Sequence, residues 1–322
     1  MIDPVIDQLL RIVQRDPTPA SFTSSYWREY AAQNTVRMDR DRLVLEGFGI
    51  GNVSRPRLRG RLLYQLERLS YSAVTAKLPD YPSTWRTTAR LARSLGYGLT
   101  FDVWKSAVIV ALLTDHWRRA RLSPRTFAII GDGYGFLGAL IRRVLPGLRM
   151  YCIDLPKTLV FQATTHQRAD RKITMSFLGE PHGTEGDAPA DLTLVLPQAI
   201  DRVSDAIDCA VNVASMQEMN ALTIQAYFTF LRWRSHAHSR FYCVNRVEKV
   251  LPGGEVSRFA EYPWQAGDEI FLDGPCPYYR YNLSRRMTPD GARLPGIRLP
   301  FTTYFKTHWH RLVRLASAGA AA

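Results

Sequence analysis

Short apolar runs alternate with amphipathic segments over the last two thirds of the chain. The runs are four to eight residues long, which is the length of a buried strand, and the segments between several of them carry apolar residues at helical spacing. The predicted strands cover residues 127–130, 150–153, 173–178, 192–196, 206–213, 240–244 and 308–315, and the predicted helices cover 157–167 and 221–233. Because strands that follow helices in this order need crossover connections, the pattern predicts a parallel sheet.

The first 120 residues differ, because their apolar positions recur at helical spacing and none of their segments is a convincing strand. Helices are predicted over 2–13, 59–69, 85–95 and 101–119, with a further helix start near Ser25. No repeat or low-complexity linker marks the end of this part. We therefore predict an α-helical N-terminal region over 1–120 and an α/β domain over 121–322, in which residues 251–300 form long loops with one hairpin.

The most informative stretch is a glycine-rich turn between two of the predicted strands. Gly131, Gly133 and Gly135 alternate directly after strand 127–130, and helical spacing follows them. Glycines allow a turn to bend tightly and to approach a ligand closely, and the helix after them offers free N-terminal amides. Asp154 ends the next strand, so we expect its carboxylate beside the turn, where it can accept both hydroxyls of a ribose. The pattern indicates a site for a nucleoside-containing cofactor.

One class of cofactor that fits this turn is a dinucleotide. Gly133, Gly135 and Gly138 match the fingerprint G-x-G-x-x-G, in which glycines make room for a pyrophosphate. Asp154 follows Gly133 by 21 residues, which is the spacing of the ribose-binding acid in that motif. On this interpretation the chain is an NAD-dependent oxidoreductase.

The second class is S-adenosylmethionine. Gly131-x-Gly133-x-Gly135 matches the first motif of class I methyltransferases equally well. That motif usually has an acid two residues before its first glycine, where this chain has Ile129. Asp132, between the first two glycines, is the acid that takes over part of that role on this interpretation.

Composition narrows the class of protein. The hydrophobic fraction is 46% and the charged fraction 22%, as in ordinary globular proteins. No apolar run approaches the roughly 20 residues of a membrane helix, and the first residues lack the basic start and cleavage site of a signal peptide. The four cysteines have no paired spacing for zinc and fall mainly in apolar runs. These features favour a cytoplasmic protein in a reducing compartment.

The net charge of +13 favours anionic partners. The arginines are scattered along the chain, however, and neither a lysine-rich tail nor an aromatic-basic RNA motif is present. The charge therefore favours attraction to an anionic small substrate over nucleic-acid binding.

A second informative stretch is residues 212–219, Asn-Val-Ala-Ser-Met-Gln-Glu-Met. Together with the glycine turn and Asp154-Leu-Pro156, it resembles the sugar O-methyltransferase family of class I enzymes, and residues 242–246 and 262–264 are similar to later parts of that pattern. The resemblance implies a Rossmann-like domain whose parallel sheet has an antiparallel last strand. It also implies S-adenosylmethionine as donor and a hydroxyl of a sugar or glycosylated small molecule as acceptor.

Aromatic residues recur in the predicted N-terminal helices, among them Trp27 and Trp104. Core packing is one interpretation of them. The other is a helical cap over the cofactor edge of the sheet, which would supply substrate contacts and the contacts of a homodimer.

The predicted sheet order assigns parts of the donor to particular residues. Asp154 is expected to bind the ribose, and Gln198, at the end of a later strand, is placed to contact the adenine amine. Asn212 and Ser215 follow the next strand and are expected near the methionine end of the donor. The predicted cofactor-binding residues are Gly131, Asp132, Gly133, Gly135, Asp154, Leu155, Gln198, Asn212 and Ser215.

A sugar hydroxyl barely ionises near neutral pH, so we expect a general base, which contributes roughly 10²–10⁴-fold to a rate. Glu218 is the first candidate, because partial desolvation between two methionines would raise its pKa. The alternative is a structural role, since Ser215 to Glu218 matches a helix capping box. The other candidate bases are His182, His308 and His310. The last two would share a strand face and could bind a metal, but no third ligand is evident and no metal site is predicted.

Overall fold

The computed structural model describes residues 3–15, 20–30, 33–39, 42–47, 51, 53–54, 72–179, 190–280, 283–284, 293–294, 297–298, 302–303 and 307–317. The helices among them are α1 (Pro4–Arg15), α2 (Ser25–Tyr30), α3 (Ser72–Thr75), α4 (Tyr81–Leu95), α5 (Phe101–Ala120), α6 (Phe136–Val144), α7 (Pro156–Ala169), α8 (Ala221–Arg234) and α9 (Pro277–Arg280). The strands are β1 (Thr35–Asp39), β2 (Arg42–Glu46), β3 (Thr126–Ile130), β4 (Arg149–Ile153), β5 (Met175–Leu178), β6 (Leu192–Val195), β7 (Cys209–Val213), β8 (Arg240–Arg246), β9 (Glu248–Val250), β10 (Val256–Arg258), β11 (Glu269–Pro275), β12 (Leu283–Ser284), β13 (Arg293–Leu294), β14 (Ile297–Arg298), β15 (Thr302–Thr303) and β16 (His308–Arg314).

Eight of these strands form one sheet in the order β5-β6-β4-β3-β7-β8-β16-β11. The pairs from β5 to β8 are parallel, and β16 runs antiparallel between β8 and β11. This arrangement confirms the predicted Rossmann-like sheet with an antiparallel last strand. Because β4 and β7 lie on opposite sides of β3, the strand order reverses at β3, and a ligand cleft is expected beyond the carboxyl ends of the strands there.

Apolar side chains of β3 alternate between two cores. Phe127 and Ile129 pack on the face that is covered by α1, α4, α5, α6 and α7. Ala128 and Ile130 pack on the other face, with Phe228 of α8. A strand that is buried on both faces reads as a continuous apolar run, which explains why β3 could be predicted from the sequence.

Helix α5 begins beside the cleft. Thr100 caps it, because its side chain accepts the backbone N–H of Val103 at 3.4 Å. The same helix packs along the sheet through buried residues such as Val108 and Leu113, so the N-terminal region and the α/β domain share one core. Among the described residues, no helix has the length and apolar character needed to cross a bilayer.

Several strands lie where the sequence predicted none, among them β1, β2 and β11. β1 and β2 pair antiparallel within residues predicted to contain no strand. Val36 of β1 and Leu43 and Leu45 of β2 pack against the core, and in each strand successive side chains point to opposite faces. β11 lies in the stretch that we predicted to form loops. Glycine and proline are typical of loops, and this strand ends in Gly274 and Pro275. As an edge strand it tolerates a proline that cannot donate to a neighbour.

Candidate active site

The glycine turn joins β3 to α6 at the centre of the sheet. Gly131, Gly133 and Gly135 all have left-handed backbone angles, with φ of +75°, +58° and +78°, which other residues rarely adopt. The N–H of Gly131 donates to the carbonyl oxygen of Ile153 at 3.0 Å. The turn is therefore held against the end of β4, as its position after β3 predicted.

Close packing against protein atoms adds a second reason for glycine at two of these positions. A Cβ on Gly135 would lie 2.7 Å from the Cα of Gln162 in α7, and a Cβ on Gly131 would lie 1.8 Å from the Oγ of Ser215. We predicted that these glycines leave room for a ligand, but at Gly135 the room is taken by helix α7. Gly131 and Gly133 border the cleft itself.

Asp132 lies within the turn and caps helix α6. Its carboxylate accepts the N–H of Gly138 at 2.7 Å and that of Leu137 at 3.3 Å, which satisfies amides that a helix start leaves free. Burial raises the pKa of Asp132 to about 7, although these hydrogen bonds act in the opposite direction. A Cβ on Gly138 would come within 2.9 Å of this carboxylate. The third glycine of the fingerprint therefore makes room for the Asp132 cap.

Asp154 lies at the end of β4, beside the glycine turn. Its Oδ1 accepts the N–H of Leu155 at 2.8 Å, and its Oδ2 accepts the side-chain amide of Gln162 at 2.7 Å. Burial raises the pKa of Asp154 to about 7, and the hydrogen bonds from Leu155 and Gln162 only partly oppose this. The carboxylate is thus oriented by two neutral donors. Each of its oxygens has a further lone pair for a ligand hydroxyl.

A cavity of about 240 Å³ opens at the carboxyl ends of β3, β4 and β7. Its walls include seven of the predicted cofactor-binding and catalytic residues. They are Gly131, Asp132, Gly133, Asp154, Ser215, Glu218 and His308. The sequence therefore located the cavity correctly, at the point where the strand order reverses.

Besides Gly135, three predicted cofactor residues do not face this cavity. Asn212 is fully buried; its amide donates to the carbonyl of Ile130 at 2.8 Å, and its Oδ1 accepts from Asn245 at 2.8 Å. It joins the ends of β3, β7 and β8 instead of contacting a ligand. Gln198 follows β6 and donates to the carbonyl of Gly179 at 3.4 Å. Leu155 contributes its backbone N–H to Asp154.

Glu218 is buried in a 3-10 turn, Met216–Glu218, directly after β7. Its Oε1 pairs with the Nζ of Lys249 at 2.6 Å. Burial raises the pKa of Glu218, and the charge of Lys249 only partly reverses that effect, so the predicted direction of the shift is confirmed.

The capping-box interpretation of Glu218 is wrong. Ser215 makes no side-chain capping bond. The following helix, α8, is capped by Asn220, whose Oδ1 accepts the N–H of Thr223 at 2.8 Å. A short 3-10 turn separates Glu218 from the helix, so its carboxylate is not engaged at the helix start.

The candidate histidines separate into different environments. His308 lines the cavity and stacks on the ring of Tyr279, with 3.7 Å between ring centroids and 6° between planes. His310 does not line it; its Nδ1 lies 3.1 Å from the hydroxyl of Tyr242, and burial lowers its pKa to about 4. His182 lies outside the described residues. Within the described part of the chain, no three His, Cys, Asp or Glu side chains are grouped to hold a metal ion.

A second polar cluster in the cavity was missed in the sequence. Lys105 of α5 donates to Oδ1 of Asp102 at 2.7 Å and to the hydroxyl of Tyr279 at 3.3 Å. All three residues line the cavity together with His308. In the sequence, Asp102 and Lys105 read as an ordinary i,i+3 helix pair. Only the packing of α5 on the sheet shows that this helix start faces the cleft.

The N-terminal helix α2 also reaches the cavity. Trp27 lines it, and the ring of Tyr26 lies 3.9 Å from the Nζ of Lys249. Ser24, just before the helix, donates its hydroxyl to the carbonyl of Glu218 at 2.5 Å. The contact between Ser24 and Glu218 spans 194 positions of the chain, a distance over which the sequence offers no pairing signal.

No protein-family model matches this sequence, and no curated protein matches it. Solved structures resemble parts of it. TehB from Haemophilus influenzae is 12% identical, with 64% of this chain and 62% of TehB covered at a TM-score of 0.40. The Thermoplasma acidophilum protein 1320 is 12% identical, with 73% and 98% covered at 0.42. A coclaurine N-methyltransferase bound to N-methylheliamine and S-adenosylhomocysteine is 11% identical, with 67% and 77% covered at 0.37.

The likeness to these structures is partial, and this chain spans less than two thirds of the length of TehB. The TM-scores are below 0.5. The functional assignment therefore depends on the sheet order and on the residues of the cavity. The resemblance to sugar O-methyltransferases stays a prediction.

Proposed function

We propose that the chain is an S-adenosylmethionine-dependent O-methyltransferase that acts on a hydroxyl of a sugar or glycosylated small molecule. The observation that carries the proposal is one cavity, at the switch point of the sheet, that combines the glycine turn, the Asp154 carboxylate and the buried Glu218 carboxylate. The antiparallel β16 between β8 and β11 supports a methyltransferase over a dinucleotide-dependent enzyme, because an inserted reversed strand at this position is the arrangement that the resemblance implies.

The cavity residues fit the donor. Gly131 and Gly133 present side-chain-free backbone to the cavity, where the methionine part would lie. Asp154 has the free acceptor positions that two ribose hydroxyls need, and Leu155 and Gln162 fix its orientation. When bound, the cofactor supplies an electrophilic methyl group on a sulfonium.

The protein's own part in the reaction is to position the acceptor hydroxyl and to take its proton. Methyl transfer is an in-line displacement, so the reacting atoms must be held about 3 Å apart and away from water. We assign the proton to Glu218, because its carboxylate lines the cavity and Lys249 opposes the effect of burial on its pKa. His308 is the second group in the cavity that can do this.

A sugar-like acceptor is supported by the mixture of side chains around the cavity. The rings of Trp27 and Tyr134 offer flat apolar surfaces to the C–H faces of a sugar, and Gln217 and Arg246 offer hydrogen bonds to its hydroxyls. The contribution of Trp27 supports the proposal that residues 1–120 act as a cap that contacts the substrate. Lys105 and Arg246, which belong to the described part of the wall, suit an acceptor that carries negative charge.

The test is a thermal-shift series on the whole chain with S-adenosylhomocysteine and with NADH. We expect a concentration-dependent rise in melting temperature with S-adenosylhomocysteine. Stabilisation by NADH alone would end the methyltransferase proposal and favour the oxidoreductase. Incubation with methyl-labelled donor and a panel of nucleotide sugars and glycosides should then give a product that is heavier by one methyl group.

A further inference from the structure

Lys105 is a cation at the cavity wall. Its ammonium group has more hydrogen-bond donors than the acceptors that the described residues offer it. An ammonium group has three N–H donors. Among the described residues, Asp102 and Tyr279 provide the two acceptors within hydrogen-bonding distance of its Nζ. The Lys105 side chain is 16% exposed and lines the cavity. One donor position is therefore left for a ligand.

The surroundings keep Lys105 charged and hold it in place. Burial lowers the pKa of Lys105, but the negative charge of Asp102 and the hydrogen bonds that Lys105 donates to Asp102 and Tyr279 outweigh burial, so its pKa stands above the ordinary value. The ring of Phe101 lies 5.9 Å from the Nζ and restricts it further. A fixed, partly desolvated cation with an unused donor is a binding site for an anion.

The position of Lys105 indicates which anion it would bind. Lys105 lines the same cavity as Asp132, and its charge lowers the pKa of that carboxyl against the larger effect of burial. Asp132 lies in the turn between Gly131 and Gly133, where the methionine part of the donor is placed under the proposed function. Arg246, the other basic residue of the wall, acts on Glu218 and Tyr26 instead. The two cations thus serve different parts of the cavity.

We propose that the Lys105 ammonium, held by Asp102 and Tyr279, binds the α-carboxylate of the donor's amino-acid part. This inference rests on the proposed function. It assigns the donor's charged end to helix α5 of the N-terminal region, so that the donor is held by both parts of the chain. Asp154 then recognises the ribose and Lys105 the carboxylate, at two separate points.

Two ligands can distinguish recognition of the carboxylate by Lys105 from recognition of the ribose by Asp154. S-adenosylhomocysteine carries the amino-acid part, whereas 5′-methylthioadenosine keeps the thioether and adenosine but lacks it. We would measure the affinity of both by isothermal titration calorimetry for the wild type, Lys105→Met and Asp154→Ala. Lys105→Met should weaken S-adenosylhomocysteine by about 10- to 100-fold, the range of a lost charge-assisted hydrogen bond, and leave methylthioadenosine unchanged. Asp154→Ala should weaken both ligands.

Lys105→Arg keeps the charge and should recover part of the lost affinity. If Lys105→Met does not fold, Lys105→Gln is expected to show the same selective loss. Equal losses for both ligands, or no loss for either, would overturn the assignment of Lys105 while the methyltransferase proposal stands. If the wild type binds neither ligand, the methyltransferase proposal fails, and the Lys105 assignment fails with it.

Discussion

Asp154 and Glu218 both line the cavity, but their neighbours differ in charge. Asp154 is held by neutral donors, the N–H of Leu155 and the side-chain amide of Gln162. Glu218 is held by a cation, Lys249, at 2.6 Å. Burial raises the pKa of both acids, and it raises that of Asp154 to about 7.

The difference indicates two roles. Neutral donors orient a carboxylate without neutralising it, so Asp154 can accept hydrogen bonds from ligand hydroxyls. The adjacent Lys249 ammonium opposes the effect of burial on the pKa of Glu218, and we assign to this cavity-lining carboxylate the role of taking the acceptor's proton. Among the described residues, no Lys or Arg forms an ion pair with Asp154. We therefore expect Asp154 to determine donor affinity and Glu218 to determine turnover.

The largest expected effect is that of Glu218→Gln on turnover. The amide keeps the shape of the side chain but cannot accept the acceptor's proton, so the rate should fall by roughly 10²–10⁴-fold. Affinity for S-adenosylhomocysteine should change little, because the donor contacts are elsewhere. The measurement is methyl transfer from labelled donor, with calorimetry on the same preparation.

Glu248→Gln is the matched control, because Glu248 is an exposed acid whose partner, Arg258, is also on the surface. It should leave both quantities unchanged. Normal turnover by Glu218→Gln would reduce Glu218 to the structural partner of Lys249 and transfer the role of base to His308.

Asp154→Ala should have the next largest effect. In contrast to Glu218→Gln, it should lower donor affinity more than turnover. Removing an acceptor for two ribose hydroxyls should weaken S-adenosylhomocysteine by about 100-fold, since hydrogen bonds to charged groups contribute about 1.5–3 kcal/mol each. Turnover at saturating donor should fall much less than in Glu218→Gln. A pattern in which both variants lose affinity and turnover equally would show that the two carboxylates do not have separate roles.

The Asp154 side of the site could be predicted because its signals are local. The glycines, the capping Asp132 and the acid at the end of β4 lie within 24 residues of one another, and a buried strand before each makes their placement unambiguous. The core strands β3, β4, β6, β7 and β8 were found for the same reason. Each is a short apolar run that is covered on both faces.

Glu218 itself was predicted as a candidate base, but its partners could not be predicted because they come from distant parts of the chain. Lys249 follows Glu218 by 31 residues, and Ser24 precedes it by 194. Neither residue has a spacing or a motif that points to the cavity. The role of Asn212 was assigned wrongly for a related reason: its position at the end of β7 was correct, but burial turned its amide towards Ile130 and Asn245.

A smaller effect is expected for Gln162→Leu, which removes a donor from Asp154. The pKa of Asp154 should rise further, because one of the hydrogen bonds that lowers it is lost. Affinity for S-adenosylhomocysteine at pH 7 should then fall by about 3- to 10-fold, the range of one hydrogen bond, and recover at pH 9. Gln198→Leu is the control, because Gln198 lies outside the cavity and should leave affinity unchanged. A loss that persists at pH 9 would indicate damaged packing instead of a shifted pKa.

The smallest expected effect is on the pH dependence of stability. Asp154 has a pKa of about 7 in the folded protein, against an ordinary value of 3.8 for the unfolded chain, so the folded state binds more protons between these pH values. Its contribution to the free energy of unfolding is therefore fully present below about pH 4 and is lost as pH rises towards 7. Asp154→Asn removes this titration, and the fall in melting temperature between pH 4.5 and 7.5 should become smaller by about 2–4 °C. The Glu218→Gln variant should change this slope less, because Lys249 opposes the effect of burial on that carboxyl. If Asp154→Asn instead leaves the slope unchanged, Asp154 is ionised in the folded protein at neutral pH. The pKa values of Asp154 and Glu218 would then differ less than their neighbouring groups imply.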